Sequence, residues 1–221
     1  MAEGVAEERE EQGVRDERER SVAVPLTGEP LPLELVNTTY IKGGVRGRRR
    51  DALAAGPEAL DGWLAAQRHR FAPGVADALA AAPPAGPERY QEFLVLRRAL
   101  RALAGARTSG AGPDPEALAV VNAYARTAAD WRELAPGPEF RAVVRRAVED
   151  PLRLALGAIS AAAVELFAGE DAERLRACPA PGCILYFVRT HARREWCTVG
   201  CGNRVRVARH SRRAREGDEA V

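Results

Sequence analysis

Four cysteines lie in the last quarter of this chain of 221 residues, which contains no others. They form two close pairs, Cys178-x4-Cys183 and Cys197-x3-Cys201, separated by thirteen residues. Two pairs joined by a short spacer are the usual layout of a structural zinc site, in which each pair supplies two thiolate ligands. The sequence therefore predicts that all four cysteines bind one Zn2+ ion per chain.

Other uses of four clustered thiols remain open on sequence grounds alone. Two disulfides or a redox-active pair would use the same residues, and an iron–sulfur cluster also takes four thiolates. The acidic N-terminus is followed by no apolar segment of the kind that directs export, so we expect a cytoplasmic protein with reduced thiols. The tight pairing argues against four unrelated buried cysteines, and zinc is the favoured interpretation.

Local patterns around the cysteines predict a small unit that depends on its metal. Residues 184–188 are rich in β-branched and aromatic side chains, and we expect this strand to pair with a second strand near residues 193–196. The second cysteine pair opens a helix, because Cys197 and Cys201 at i and i+4 can face one ion. A hairpin and a helix around one zinc predict a treble-clef-like finger that cannot fold unaided.

The helix after the second cysteine pair is strongly basic. Residues 174–215 contain eleven arginines and one acidic residue, Glu195. Cys201, Val205 and Ala208 share one helical face, which we expect to point inward, whereas arginines at i, i+3 and i+7 form a second face. Such a dense positive surface is typical of nucleic-acid binding. The candidate contacts to double-stranded DNA are Arg204, Arg206, Arg209, His210, Arg212 and Arg213.

Three other interpretations of this basic face remain open. The chain has a single lysine, Lys42, among its 33 basic residues, so a preference for arginine is general and weak as an argument. A protein–protein adaptor would bind an acidic protein through the same face, a non-specific RNA-binding protein would bind RNA, and a solvated face would bind neither. Tyr186, Phe187 and Trp196 fit core positions rather than exposed stacking positions, which argues against RNA.

Upstream of the finger, the sequence predicts a helical domain. Apolar residues recur at helical spacing after Pro57, near Pro87, and after Asp114-Pro115 and Asp150-Pro151, where aspartate has the N-cap position and proline the first helical position. Residues 131–134 and 140–145 flank a Pro-Gly-Pro turn and predict a short hairpin. We find no apolar stretch of membrane-spanning length and expect no membrane partner.

The sequence shows few candidates for chemistry outside the finger. Asn37 and Thr38 follow an apolar run, where a cap or turn role is favoured over contact with a bound ligand. None of the three histidines lies in a motif for nucleophilic catalysis, and no phosphate-binding glycine-rich loop precedes a helix. We therefore expect a protein that is not an enzyme.

The stretch from Trp196 onward resembles the CGNR zinc-finger family, through the Cys-Gly-Asn-Arg element that begins at Cys201 and the Arg-His of its basic helix. Upstream, the Leu-Glu-Leu-Val-Asn-Thr run of residues 33–38 is similar to the opening of the ABATE domain that usually precedes this finger. Gly47-Arg48, Asp51 and Trp63-Leu64 fit that domain too. Residues 187–191 depart from the family, because an arginine stands where relatives often carry an acid.

The resemblance implies a stress-linked bacterial transcription regulator. Its N-terminal domain would sense a small-molecule effector or form a homodimer, and its finger would bind DNA. We expect a mainly α fold with a small β-hairpin contribution. The predicted divisions are a disordered acidic tail at 1–23, a helical ABATE-like domain at 24–170, the finger at 171–215 and a disordered tail at 216–221.

Overall fold

The computed structural model describes residues 26–218, with side chains as far as His210. Its helices are α1 (Leu31–Asn37), α2 (Pro57–Gln67), α3 (Pro73–Ala80), α4 (Pro87–Ser109), α5 (Pro115–Ala125), α6 (Pro151–Ala168) and α7 (Val199–Asp218). Its strands are β1 (Thr39–Lys42), β2 (Arg48–Asp51), β3 (Asp130–Leu134), β4 (Ala142–Arg146), β5 (Leu175–Ala177) and β6 (Tyr186–Val188). The predicted mainly helical fold with small hairpins is confirmed. The acidic tail lies outside the described residues, and α7 extends beyond residue 215, where the finger was expected to end.

Proline and aspartate define the helix starts that the sequence predicts, at Pro57, Pro87, Pro115 and Pro151, whereas α3 was not predicted. Helices α2 to α6 each begin with a proline, whose fixed φ suits the first turn and whose missing N–H has no helical partner to lose. The Asp114 carboxylate accepts a hydrogen bond from the Glu116 N–H, and Asp150 accepts two, from Leu152 and Arg153. These caps confirm the assignment of both Asp-Pro pairs as helix N-termini.

The main core lies between α4 and α6, with α2 packed beside them. Trp63, Phe93, Leu100, Leu156 and Ile159 are all fully buried in one apolar cluster. Among the described residues, α6 is the one helix long and apolar enough to cross a membrane, which our sequence expectation did not anticipate. Half of that stretch is buried within the protein, as in the core helix of a globular domain.

The predicted hairpin around the Pro-Gly-Pro turn is present. Strands β3 and β4 pair antiparallel, with Asp130 opposite Arg146 and Leu134 opposite Ala142. The ribbon is largely exposed, and Phe140 in its connecting loop is almost wholly in solvent. This element therefore stands at the periphery of the helical domain rather than in its core.

A second ribbon, formed by β1 and β2, has no counterpart in the sequence predictions. The strands pair antiparallel, and a 3-10 turn at Gly44–Arg46 connects them. The base of the ribbon is fixed to α4, because Arg97 donates to both oxygens of Asp51 at 2.6 and 2.7 Å. This ion pair, in which the Arg97 side chain is mostly buried, holds the ribbon against the helical domain.

The third ribbon corrects the predicted pairing of the finger strand. Residues 184–188 were expected to pair with residues 193–196, but β6 pairs with β5, upstream of the first cysteine. On its other edge, the N–H and C=O of Tyr186 bind the Asn37 side chain at 3.1 and 2.9 Å, and the Val188 N–H donates to Glu29. Buried side chains thus occupy the edge on which a further strand would have to form.

The ribbon formed by β5 and β6 packs against the helical domain. Leu33, Ala104 and Leu166 form one buried cluster with Leu175 and Val188 of the ribbon. Polar contacts follow the same boundary, since the Arg101 guanidinium donates to the carbonyls of Ile184, Val36 and Thr39. The interface between the finger and the helical domain therefore combines buried apolar side chains with hydrogen bonds from Arg101.

Replacing Asn37 by alanine tests this interface. Asn37 is fully buried, and its loss leaves the Tyr186 N–H and C=O without their partners. Because a buried unsatisfied polar group costs about 1–3 kcal/mol, we expect a loss of about 2–4 kcal/mol in the free energy of unfolding. Denaturant unfolding of the zinc-loaded protein measures it.

The matched control is Asn122→Ala, at an exposed asparagine on α5. Exposed substitutions of this kind change stability by about 0.5 kcal/mol or less. Equal effects of the two substitutions would contradict the role assigned to Asn37.

Candidate metal centre and adjoining basic surface

The four cysteine sulfurs converge on one point. All four Sγ atoms lie within 4.8 Å of one another, and three of their separations are 3.3, 3.7 and 3.7 Å. Zinc–sulfur bonds of about 2.3 Å in a tetrahedron place the sulfurs about 3.8 Å apart. A disulfide requires about 2.05 Å, so the geometry fits a shared ion and not bonded pairs.

The first two ligands come from a tight turn. The Cys178 N–H donates to Leu185, and the Cys183 N–H donates to Ala180, which closes the loop over the site. Gly182 has φ +71°, and a Cβ there would lie 2.5 Å from the Gly44 carbonyl carbon. Only glycine fits this position, because the backbone turns left-handed directly against the β1–β2 ribbon.

The other two ligands flank the start of α7. Cys197 precedes the helix and Cys201 lies in its first turn, as the i and i+4 spacing predicts. Thr198 accepts a hydrogen bond from the Cys201 N–H through its hydroxyl, at 3.3 Å. The metal and this cap together fix the N-terminal end of the basic helix.

Protonation of the clustered thiols shows why a cation is needed. Hydrogen bonds from Cys183 and Cys197 lower the pKa of the Cys178 thiol to about 2, although burial opposes them. The same bonds to Cys178 raise the pKa of Cys183 to about 11 and raise that of Cys197 still further. Without a metal, the Cys178 thiolate is held at the expense of Cys183 and Cys197, whereas zinc coordination requires deprotonated thiols.

Arg204 belongs to the metal site. Its guanidinium donates to the Cys201 sulfur at 2.9 Å, and the side chain packs against Gly44 of the β1–β2 ribbon. Four thiolates with one Zn2+ carry a formal charge of about −2, which a cation at this distance offsets. Arg204 was predicted to contact DNA, and in the structure it binds a cysteine of the metal site instead of lying free on the helix surface.

Comparison with known proteins identifies both parts of the chain. Residues 29–170 match the family model of ABATE, described as "Putative stress-induced transcription regulator". The chain belongs to the ABATE family. Residues 174–214 match the CGNR zinc finger, and the four sulfurs of this finger are those that converge in the structure. Among curated proteins, no match to this ABATE chain was found.

The CGNR finger binds one Zn2+ through Cys178, Cys183, Cys197 and Cys201. The buried face of α7 is shorter than the sequence predicts. Cys201 and Val205 are buried, as predicted, but Ala208 is exposed, because α7 leaves the body of the protein after its second turn. The prediction that Ala208 points inward is therefore wrong.

The remaining predicted DNA contacts fall into two groups. Arg206, Arg209 and His210 are exposed on α7, and the Arg206 guanidinium donates to the Asn203 side chain. The side chains of Arg212 and Arg213 lie outside the described residues. The helix thus displays at least three polar or cationic groups to solvent beyond the metal site.

Asn37 and Thr38 are fully buried. Asn37 binds the Tyr186 backbone, while the Thr38 hydroxyl donates to the Leu35 carbonyl at 2.7 Å and accepts from Arg97 at 2.9 Å. These contacts give both residues an internal structural role. Their predicted contact with a bound ligand stays a prediction.

Metal content is the first test of this site. Protein purified without added metal should contain close to one zinc per chain by elemental analysis, because the four thiolates form a complete tetrahedral set. Cys201→Ser should lower the zinc content and expose the remaining thiols to titration. A folded protein without zinc, with all four thiols freely titratable, would contradict the assignment.

Arg204→Ala separates the metal role from a DNA role. Removing a hydrogen bond to a metal ligand typically weakens metal binding by about 10–100-fold. Competition with a chromophoric chelator should show this loss for Arg204→Ala.

Arg209→Ala is the matched control, since it removes the same charge from an exposed position on the same helix. It should retain zinc like the unaltered protein. Equal zinc affinity in both variants would place Arg204 outside the metal site.

Proposed function

We propose that this ABATE protein is a zinc-dependent DNA-binding protein that regulates transcription in the cytoplasm. The observation that carries the proposal is the exposure of Arg206, Arg209 and His210 on a helix whose first turn is tied to the metal site through Cys201. The metal holds the buried end of α7, so its exposed end presents cations in a fixed orientation.

The internal contacts reduce the number of arginines available to a partner. Arg194 is bound to Glu29 and to the Val188 carbonyl, Arg174 pairs with Asp171, and Arg204 serves the Cys201 sulfur. Further exposed arginines on the finger include Arg176, Arg189 and Arg193. The surface that faces solvent therefore remains strongly positive after these pairs are removed.

Duplex DNA suits this surface better than the alternatives. An α-helix fits the major groove, and guanidinium groups bind phosphates and guanine edges through two parallel hydrogen bonds. Single-stranded RNA is usually bound by exposed aromatic side chains, whereas Phe187 is buried and Tyr186 and Trp196 are half-buried. A protein–protein adaptor that binds an acidic partner remains the second candidate, and we assign the chain no catalytic activity and no membrane partner.

The helical domain would supply regulation, by sensing a small-molecule effector or by forming a homodimer. A groove between α4, α5 and α6 is lined mainly by apolar side chains, with Arg107 among them. Arg107 also donates to the Ala172 carbonyl, in the segment that leads directly into β5. An effector bound in this groove would therefore act next to the connection between the helical domain and the finger.

DNA titration at several salt concentrations tests the proposal. If three to five cations contact phosphate, the slope of log affinity against log salt should be about −3 to −5, at roughly −0.9 per contact. Arg209→Ala should reduce the slope by about one if Arg209 binds phosphate. If it reads guanine instead, the cost should be about 1–3 kcal/mol and confined to particular sequences.

The titration requires a cognate and a scrambled duplex, together with single-stranded RNA and an acidic polypeptide as competitors. Both the full chain and a chain lacking residues 1–20 should be used, so that any competition between this acidic segment and phosphate is measured as well. The DNA proposal fails if neither zinc-loaded form binds duplex at low salt. Binding to the acidic polypeptide under those conditions would then support the adaptor.

A further inference from the structure

The ribbon formed by β1 and β2 is a second basic element of the protein. Within nine residues it carries five exposed basic side chains. They are Lys42, Arg46, Arg48, Arg49 and Arg50. Asp51, the acidic residue of this ribbon, forms its ion pair with Arg97 of α4.

Strand register places part of this charge on one face. Lys42 lies directly opposite Arg48, and Tyr40 lies opposite Arg50. Because alternate residues of a strand share a face, Lys42, Arg48 and Arg50 stand on the same side as Tyr40. Like charges placed opposite each other destabilise a ribbon unless an anion lies between them. Such an arrangement favours a site for an external polyanion.

The ribbon lies directly beside the metal site. Tyr40 packs against the apolar cluster that surrounds the cysteines. At the turn, Gly44 is in van der Waals range of Arg204, since a Cβ on Gly44 would lie 3.4 Å from Arg204 Cδ. Gly182, between the first two ligands, is packed against the same turn. The ribbon therefore borders both the cysteine turn and the second turn of α7.

The distance from this border to the basic part of α7 is short. Arg209 is five residues beyond Arg204, which corresponds to about 7.5 Å along a helix at 1.5 Å per residue. Duplex DNA carries one charge per about 1.7 Å of its axis, so a surface of this size spans several phosphates. One DNA segment can consequently contact the helix and the ribbon together.

We propose that the β1–β2 ribbon is the second half of a two-part DNA-binding surface, in which α7 enters a groove and the ribbon binds phosphates beside it. This inference rests on the proposed DNA-binding function and extends it from the CGNR finger to the ABATE domain. Phosphate contacts fix the orientation of a protein on the duplex without reading its sequence. The ribbon thus orients the helix, and sequence selection stays with α7.

A charge-matched pair of variants tests the ribbon. The triple variant Lys42→Gln, Arg48→Gln and Arg50→Gln removes three exposed positive side chains from one face of the ribbon. At roughly −0.9 per phosphate contact, the magnitude of the salt slope should fall by about 2.7. Between 50 and 200 mM salt, the unaltered protein should then lose about 40-fold more affinity than the variant.

The control is the triple variant Arg132→Gln, Arg141→Gln and Arg145→Gln, which removes the same charge from exposed positions on β4, β3 and the loop between them. It should keep the slope of the unaltered protein. Both variants should retain zinc and their unfolding midpoints. A third variant, Arg206→Gln with Arg209→Gln, reports on α7 independently.

The outcomes separate this inference from the function on which it rests. A reduced slope in the ribbon variant, with an unchanged control, supports the two-part surface. Equal slopes in the ribbon and control variants, with a reduced slope in the α7 variant, overturn the ribbon proposal while the DNA-binding function stands. Absence of duplex binding by the unaltered protein overturns both.

Site-directed photocrosslinking provides a measurement that does not depend on charge. Val45 at the turn of the β1–β2 ribbon is 76% exposed, and Phe140 in the loop between β3 and β4 is 96% exposed. A photoreactive phenylalanine analogue at position 45 should crosslink to bound duplex, whereas the same group at position 140 should not. Crosslinking at neither position, in a protein that retains DNA binding, would place the duplex away from the ribbon.

Discussion

The four-thiolate cluster is the constraint on which the finger and its surroundings depend. The apolar cluster around it consists of seven buried residues, three of which are the ligands Cys178, Cys197 and Cys201. So small a core cannot offset the conformational entropy of ordering the segment, and metal binding supplies the difference. The cluster also contacts Tyr40 and borders Gly44, so the metal site lies against the β1–β2 ribbon, which the Arg97–Asp51 ion pair fixes to the helical domain.

Buried polar side chains of the helical domain also hold the finger in place. Glu29 accepts from the Val188 N–H and pairs with Arg194, and burial raises the pKa of its carboxyl group against these favourable contacts. Asn37 satisfies the free edge of the same strand. Buried polar groups of this kind are costly unless they are fully paired, so they specify one arrangement of finger and domain. The protein is therefore better described as one interlocked unit than as two parts joined by a linker.

The sequence predicted the features that depend on residues close together in the chain, and it missed those that depend on contacts between distant residues. The cysteine set and the Asp-Pro helix starts depend on residues close together in the chain, and the structure contains both. The predicted partner of β6 was wrong because β5, with the sequence Leu-Arg-Ala, is only three residues long and too short to show a strand pattern. The β1–β2 ribbon was missed because three consecutive arginines fill most of β2. The sequence marked Arg204 as part of the Cys-Gly-Asn-Arg element, but its hydrogen bond to the Cys201 sulfur is a contact that only folding creates.

Amide hydrogen exchange before and after removal of zinc measures the central claim most directly. If the metal organises one surface from two regions, loss of zinc should reduce protection at the start of α7 and in the ribbon turn at Gly44–Arg46 together. Helices α4 and α6 should keep their protection, because Phe93, Leu100, Leu156 and Ile159 form a separate core. An unchanged ribbon beside an unprotected finger would contradict the account.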